Sequence, residues 1–200
     1  MNLSPEQAME LMEELATFEK RPLDFVHWAF PWGEPGELET ASLENWQRNF
    51  LAFLQEKLSD YDYMPIRVAI KSGHGIGKSS LLAMTNLWAF TTFEDTRGVI
   101  TANNENQLRT KTWPEMRKWH KMFIGKDLFQ QTASALFPNE RNFTKEWRLD
   151  ILPWSDQNPA AFAGLHNKGK RICFTFDEAS AIPETIFDAA SGCEVAVQAR

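Results

Sequence analysis

An α/β domain, with a mostly parallel sheet covered on both faces by helices, is the fold this sequence predicts. Three observations carry that expectation. From residue 65 onward, short β-rich apolar runs alternate with stretches of helical period; a glycine-spaced loop follows the first run; an acidic pair closes the last. Strands separated by helices imply parallel pairing, because each crossover lays a helix on a face of the sheet. Ligands of such sheets bind beyond the carboxyl ends of the strands, which is where both the loop and the acidic pair fall.

The chain up to about Asp60 reads as helical. Ser4, Pro5 and Gln7 make a capping-box start with proline at the first helical position, and Ala8, Leu11, Met12, Leu15 and Phe18 then recur at helix spacing. A turn-rich stretch, "FPWGEPGELET", interrupts the pattern. A second helix is expected from Ser42, with Leu43, Trp46, Gln47, Phe50, Leu54 and Leu58 on one face. Gln47 is the polar member of that apolar stripe. A buried amide without a partner costs on the order of 1–3 kcal/mol, so the residue calls for one, most simply the backbone of a nearby loop.

Beyond Pro65 the first strand is "IRVAIKS", followed by the loop and the helical stretch "KSSLLAMTNLWAFTTF". "GVITA" and the alternating "WRLDILPW" give two more strands, and "KRICFTFDEAS" is a near-continuous apolar run of the kind a doubly covered strand requires. Cys173 within it behaves as a small hydrophobe.

Composition excludes several classes of protein. With 200 residues, 43% of them hydrophobic and 12% aromatic, the chain is long enough and apolar enough for one substantial core. Two cysteines cannot make a disulfide framework, no run approaches the ~20 apolar residues of a membrane span, and the acidic, amphipathic start does not resemble a secretory leader. A cytoplasmic protein is expected. A net charge of -6 means that any nucleic-acid contact has to come from a local basic patch. "RTKTWPEMRKWHK", where basic residues interleave with Trp113 and Trp119, is one candidate; an ordinary amphipathic helix begun or kinked at Pro114 would look the same.

The loop, "SGHGIGKSS", spans Ser72, Gly73, His74, Gly75, Ile76, Gly77, Lys78, Ser79 and Ser80. It fits the phosphate-loop pattern of glycine, four residues, then Gly-Lys-Ser, except that serine takes the place of the first glycine. Successive backbone N–H groups of such a turn form an anion nest, and the helix N-terminus behind it adds partial positive charge. Lys78 would reach the β and γ phosphates and the Ser79 hydroxyl would ligate Mg²⁺. His74 lies within the loop, where a side chain can equally point outward. Asp177 and Glu178 supply the complementary carboxylates, one to hold the metal and one to act on the attacking water. On their own, adjacent carboxylates could equally open a helix. The hundred or so residues between the two motifs leave room for two intervening strands, which suits ATPases with an extra inserted strand and a catalytic glutamate.

Taken together, "FVHWAFPWGEPG", "NWQRNF", "RVAIKSGHGIGKSSLLA", "ITANNENQ" and "AGLHNKGKRICFTFDEASAIPETIFDAA" resemble the large terminase subunit, the ATP-driven motor that packages DNA into tailed bacteriophage heads. The resemblance covers most of residues 24–190. It implies a phosphate-loop ATPase core over residues 61–200, preceded by a helical region, residues 1–60, that carries an adenine-reading glutamine, Gln47. It further implies Lys78 and Ser79 as phosphate and Mg²⁺ residues, Asp177 as the second Mg²⁺ anchor and Glu178 as the catalytic carboxylate. Residues 103–107 resemble a loop that senses nucleotide or touches DNA, with Asn-Asn where relatives often carry Pro-Thr. Lys71, Arg97, Arg109 and Arg117 are the candidate cations for a neighbouring subunit's site.

The same resemblance implies ATP and Mg²⁺ as ligands and the host cytoplasm as location. Its partners would be double-stranded DNA, a portal, a small terminase subunit and a ring of identical subunits in the intact motor, with the isolated chain a monomer. The closing stretch "FDAASGCEVAVQAR" does not resemble the family's continuation toward a coupling motif and a nuclease domain, so no nuclease activity is expected, and a sheet lacking its later strands would expose an edge. A stand-alone helicase-type ATPase and a nucleotide-binding remnant without turnover are the alternatives.

Overall fold

The computed structural model describes residues 3–60, 66–71, 73, 75–102, 104–139, 146–153, 170–179 and 195–199. Three helices lead: α1 (Pro5–Ala16), α2 (Pro22–Ala29) and α3 (Asn45–Asp60). The capping box of α1 is present in full, the Gln7 amide N–H donating to Ser4 Oγ and the Ser4 N–H to Gln7 Oε1. Helix α3 begins three residues later than Ser42. The reason is Gln47, whose Oε1 accepts the Glu44 N–H at 3.0 Å and so fixes the first turn from Asn45.

A mixed α/β core follows. Strand β1 (Ile66–Ile70) leads into helix α4 (Lys78–Thr91), and β2 (Arg97–Ala102) into a helical run made of α5 (Glu105–Gln107), a π-helical turn (Leu108–Thr112) and α6 (Trp113–Met122). Strands β3 (Phe129–Gln131), β4 (Ala135–Pro138), β5 (Arg148–Ile151), β6 (Ile172–Asp177) and β7 (Val195–Ala199) complete one sheet. Its order is β1-β7-β6-β2-β5-β4-β3, parallel from β1 to β5 and antiparallel across β4 and β3.

One strand, β7, does follow the acidic strand. It inserts between β1 and β6 and pairs with both in parallel. The phosphate-loop strand is therefore separated from the acidic strand by one strand, and β1 and β3 are the two ends of the sheet.

Helix α4 is buried along its length from Leu81 to Thr91. It has no polar face because β2 and β6 lie on one side while α2 and α6 pack on the others. The leading helices thus shield the helix that carries the phosphate loop, and a single apolar cluster runs from Leu15 and Phe25 through Leu87 and Trp88 to Leu149 and Cys173. Arg171, at the amino end of β6, ties the leading segment to the sheet. Its guanidinium donates to Ala89 O and Glu19 O and lies 4.9 Å from the Trp88 ring centre. Burial lowers its pKa to about 10, within the range where the charge persists at neutral pH. Burial likewise raises the Cys173 thiol to about 11, in keeping with an inert core residue.

Candidate active site

The loop and the acidic pair converge because of sheet register. Ile70, the last residue before the loop, pairs with Ala199; Gln198 pairs with Phe176 on the other side of β7, which sets Asp177 level with Ile70 two strands away. Two strand spacings are about 10 Å. Ala102, at the end of β2, lies beside Asp177 in the same register. The carboxyl ends of β1, β6 and β2 therefore form one edge, with the first turn of α4 rising from it.

Gly75 and Gly77 both have left-handed backbone, φ 77° and 85°, which explains glycine at these two positions. Gly77 is the N-cap of α4, and Lys78, Ser79 and Ser80 form the helix's first turn. That geometry directs the first-turn N–H groups and the positive helix end toward the loop. Ser79 is exposed, Lys78 and Ser80 half-buried. Gly73 is exposed, as is Ile76, an apolar residue at the loop's apex. Ser72, His74 and Asn103 lie outside the described residues, as do the "AGLH" segment and residues 180–194.

Residues of α3 hold the loop from behind. Gln47 is buried and donates from Nε2 to Gly77 O at 2.9 Å, while Trp46 Nε1 donates to Ile76 O at 3.2 Å. The glutamine thus has the loop-backbone partner that a buried amide calls for, and both ends of its side chain are engaged.

At the opposite side of the site, Asp177 closes β6 and is buried. Its Oδ2 accepts a hydrogen bond from Thr112 Oγ1 at 2.7 Å. Glu178, the next residue, is exposed and has φ 53°, a left-handed conformation that costs a non-glycine residue on the order of 1–3 kcal/mol. The turn leaves successive carboxylates in different environments: Asp177 buried against Thr112, Glu178 exposed. The Ser79 hydroxyl in the first turn of α4 and the Asp177 carboxylate at the end of β6 are oxygen donors, the kind of ligand a magnesium ion takes.

Two other expectations meet the structure differently. Trp113 and Trp119 are buried, their indole N–H groups donating to Thr132 O and Glu115 Oε1, so neither is available for base stacking and the amphipathic-helix account holds. Asn104 caps α5, its side chain accepting the Gln107 N–H at 2.7 Å. Arg97 starts β2 at the far end of the sheet from the loop, whereas exposed Lys71 directly follows β1. Arg109 pairs with Glu105 at 2.7 Å and lies with Arg117, Lys118 and Lys121 along a shallow groove beside α6.

Two solved structures share this arrangement of strands and helices. The large terminase of bacteriophage HK97 superposes on 90% of the chain with a TM-score of 0.61 at 14% identity. The large terminase of the thermophilic bacteriophage D6E does so on 80%, with a TM-score of 0.53 at 13% identity. The chain has the phosphate-loop NTPase fold of phage large terminases. It spans 37% of the HK97 chain and 39% of the D6E chain. No protein-family model and no curated protein sequence matches it. Among the described residues, no helix is long and apolar enough to cross a membrane.

Proposed function

We propose that the chain is the ATPase portion of a terminase-type large subunit, hydrolysing ATP to ADP and phosphate to drive double-stranded DNA into a viral prohead. The observation that carries this is the juxtaposition on one sheet edge of a glycine loop capping α4 with a buried aspartate followed by a left-handed, exposed glutamate. In this reading the loop N–H groups and Lys78 bind the β and γ phosphates, and Ser79 with Asp177 holds Mg²⁺. When bound, the ion neutralises charge on the transferred phosphoryl group. Glu178 orients the attacking water and takes its proton.

Gln47 and Trp46 keep the loop in its left-handed path, so that little rearrangement accompanies binding. Direct adenine recognition by Gln47 requires its amide to release Gly77 O. A portal, a small DNA-recognising subunit and a ring of identical subunits in the bacterial cytoplasm belong to the same proposal, with a neighbouring chain supplying the cation that phosphoryl transfer needs. The test is phosphate release from ATP with and without Mg²⁺, across a wide range of protein concentration. Magnesium-dependent release whose specific rate climbs with concentration is expected. Nucleotide binding without turnover at every concentration would contradict the hydrolytic reading.

A further inference from the structure

Helix α6 and the π turn before it touch both sides of the site, and nothing about the loop or the acidic pair requires them to. Thr112 ends the π turn and is buried; its hydroxyl donates to Asp177 Oδ2 at 2.7 Å across 65 residues of chain. Three residues on, Glu115 Oε1 accepts from Ser80 Oγ at 2.8 Å and from Trp119 Nε1 at 2.9 Å. Positions three apart lie on one helix face, so a single turn grips the first turn of α4 and the end of β6.

The π turn is what permits this. Its closing bond runs from the Trp113 N–H to Leu108 O, one residue wider than an α-helical turn. That extra residue rotates the helix so that Thr112 meets Asp177 while Trp113, Met116 and Trp119 stay in the core.

We infer that Thr112 is a positioning residue for Asp177: its hydroxyl occupies one carboxylate oxygen and so presents the other toward the metal beside Ser79. The inference rests on the Mg²⁺-dependent ATPase reading above. A carboxylate has two equivalent oxygens and rotates about its last bond; a hydroxyl fixed by buried backbone removes that freedom. The Glu115 contact to Ser80 holds the same helix against α4, so the separation of the two metal-holding residues is set by one rigid piece.

Outer partners of metal-holding groups are commonly worth 10- to 100-fold in metal affinity, and Thr112→Val, which removes the hydroxyl at nearly constant shape, is expected to raise the half-saturating Mg²⁺ concentration by roughly that factor. Two readouts are paired: Mg²⁺ dependence of phosphate release, and Mn²⁺ binding in the presence of ADP followed by electron paramagnetic resonance. Affinity for a fluorescent ATP analogue in EDTA should stay at the wild-type value, and Thr112→Ser should restore wild-type metal dependence. If wild type binds Mn²⁺–ADP but Thr112→Val has the same metal affinity, the inference is wrong while the ATPase reading stands. Serine as impaired as valine would also overturn it, because packing of the methyl group would then be the cause. Loss of cooperative melting in Thr112→Val and Thr112→Ala, with Thr112→Ser melting normally, would assign the hydroxyl to folding and overturn it likewise. Wild type that binds neither Mn²⁺–ADP nor Mg²⁺–ATP removes the ATPase reading and this inference with it.

Discussion

Gly77→Ala is the substitution whose cost the structure makes most calculable. The residue has φ 85°, and a Cβ built on it would stand 2.8 Å from Gln47 Nε2. A left-handed conformation costs an L-residue roughly 1–2 kcal/mol. The clash adds to this, since the amide is held by Glu44 N–H and Gly77 O and must give up the second bond, worth on the order of 1 kcal/mol, to make room. The binding-competent loop is therefore destabilised by about 2–3 kcal/mol, or roughly 30- to 150-fold in affinity if the loop must regain this path to hold phosphates. Titration of a fluorescent ATP analogue measures it, with a melting curve to show that the apolar core is intact. Gln47→Ala in the same chain removes the clash but not the backbone strain, so the double variant should bind better than Gly77→Ala and worse than Gln47→Ala. Affinity of Gly77→Ala within a few-fold of wild type would refute the reasoning, as would a double variant no better than Gly77→Ala.

Two further outcomes follow from single side chains. Gln47→Ala should weaken ATP and GTP equally, because the amide braces the loop backbone; a narrowed ATP-to-GTP ratio in competition binding would instead establish adenine recognition. His120 is buried, its Nε2 has no partner among the described residues, and burial lowers its pKa to about 4 against the raising effect of Asp127. Because the folded state holds this proton less tightly than the unfolded state, its neutral form favours folding above about pH 6.5, and that contribution is lost as pH falls toward 4, by at most about 3 kcal/mol. Denaturant melts of wild type and His120→Leu across that window should show the stability difference moving in favour of the leucine variant as pH falls; a constant gap would show that His120 does not titrate there.

The parts of the site that could be read from sequence are those encoded locally. The glycine loop, the apolar runs of β1, β2, β5 and β6, the Ser4 capping box and the acidic pair each declare themselves within a dozen residues. Long-range pairing does not. Strand β7 is five residues and one of its partners, β1, is far away in sequence, and β3 carries two glutamines that break any apolar run. Helix α2 has no separate signature within the helical leading region because Pro22, Phe25, Val26 and Ala29 are buried in a segment of eight residues that is too apolar to show a face. The start of α3 is set by contacts no local pattern encodes: Gln47, a polar member of an apolar stripe, reaches back to cap the helix and forward to brace the loop. Thr112 had no signal at all, since a threonine in a basic helical stretch says nothing of an aspartate 65 residues on.

Binding and turnover measured side by side in Lys78→Ala and Glu178→Gln test the central claim most directly. Lys78 opens α4 directly after the loop proposed to bind phosphate, so its loss should abolish tight binding of a fluorescent ATP analogue, and turnover with it. Glu178 follows Asp177 in a left-handed turn and, in the proposed reading, acts on water alone, so Glu178→Gln should bind Mg²⁺–ATP as wild type does and release no phosphate. Equal loss of binding in both variants, or phosphate release by Glu178→Gln at the wild-type rate, would contradict the account.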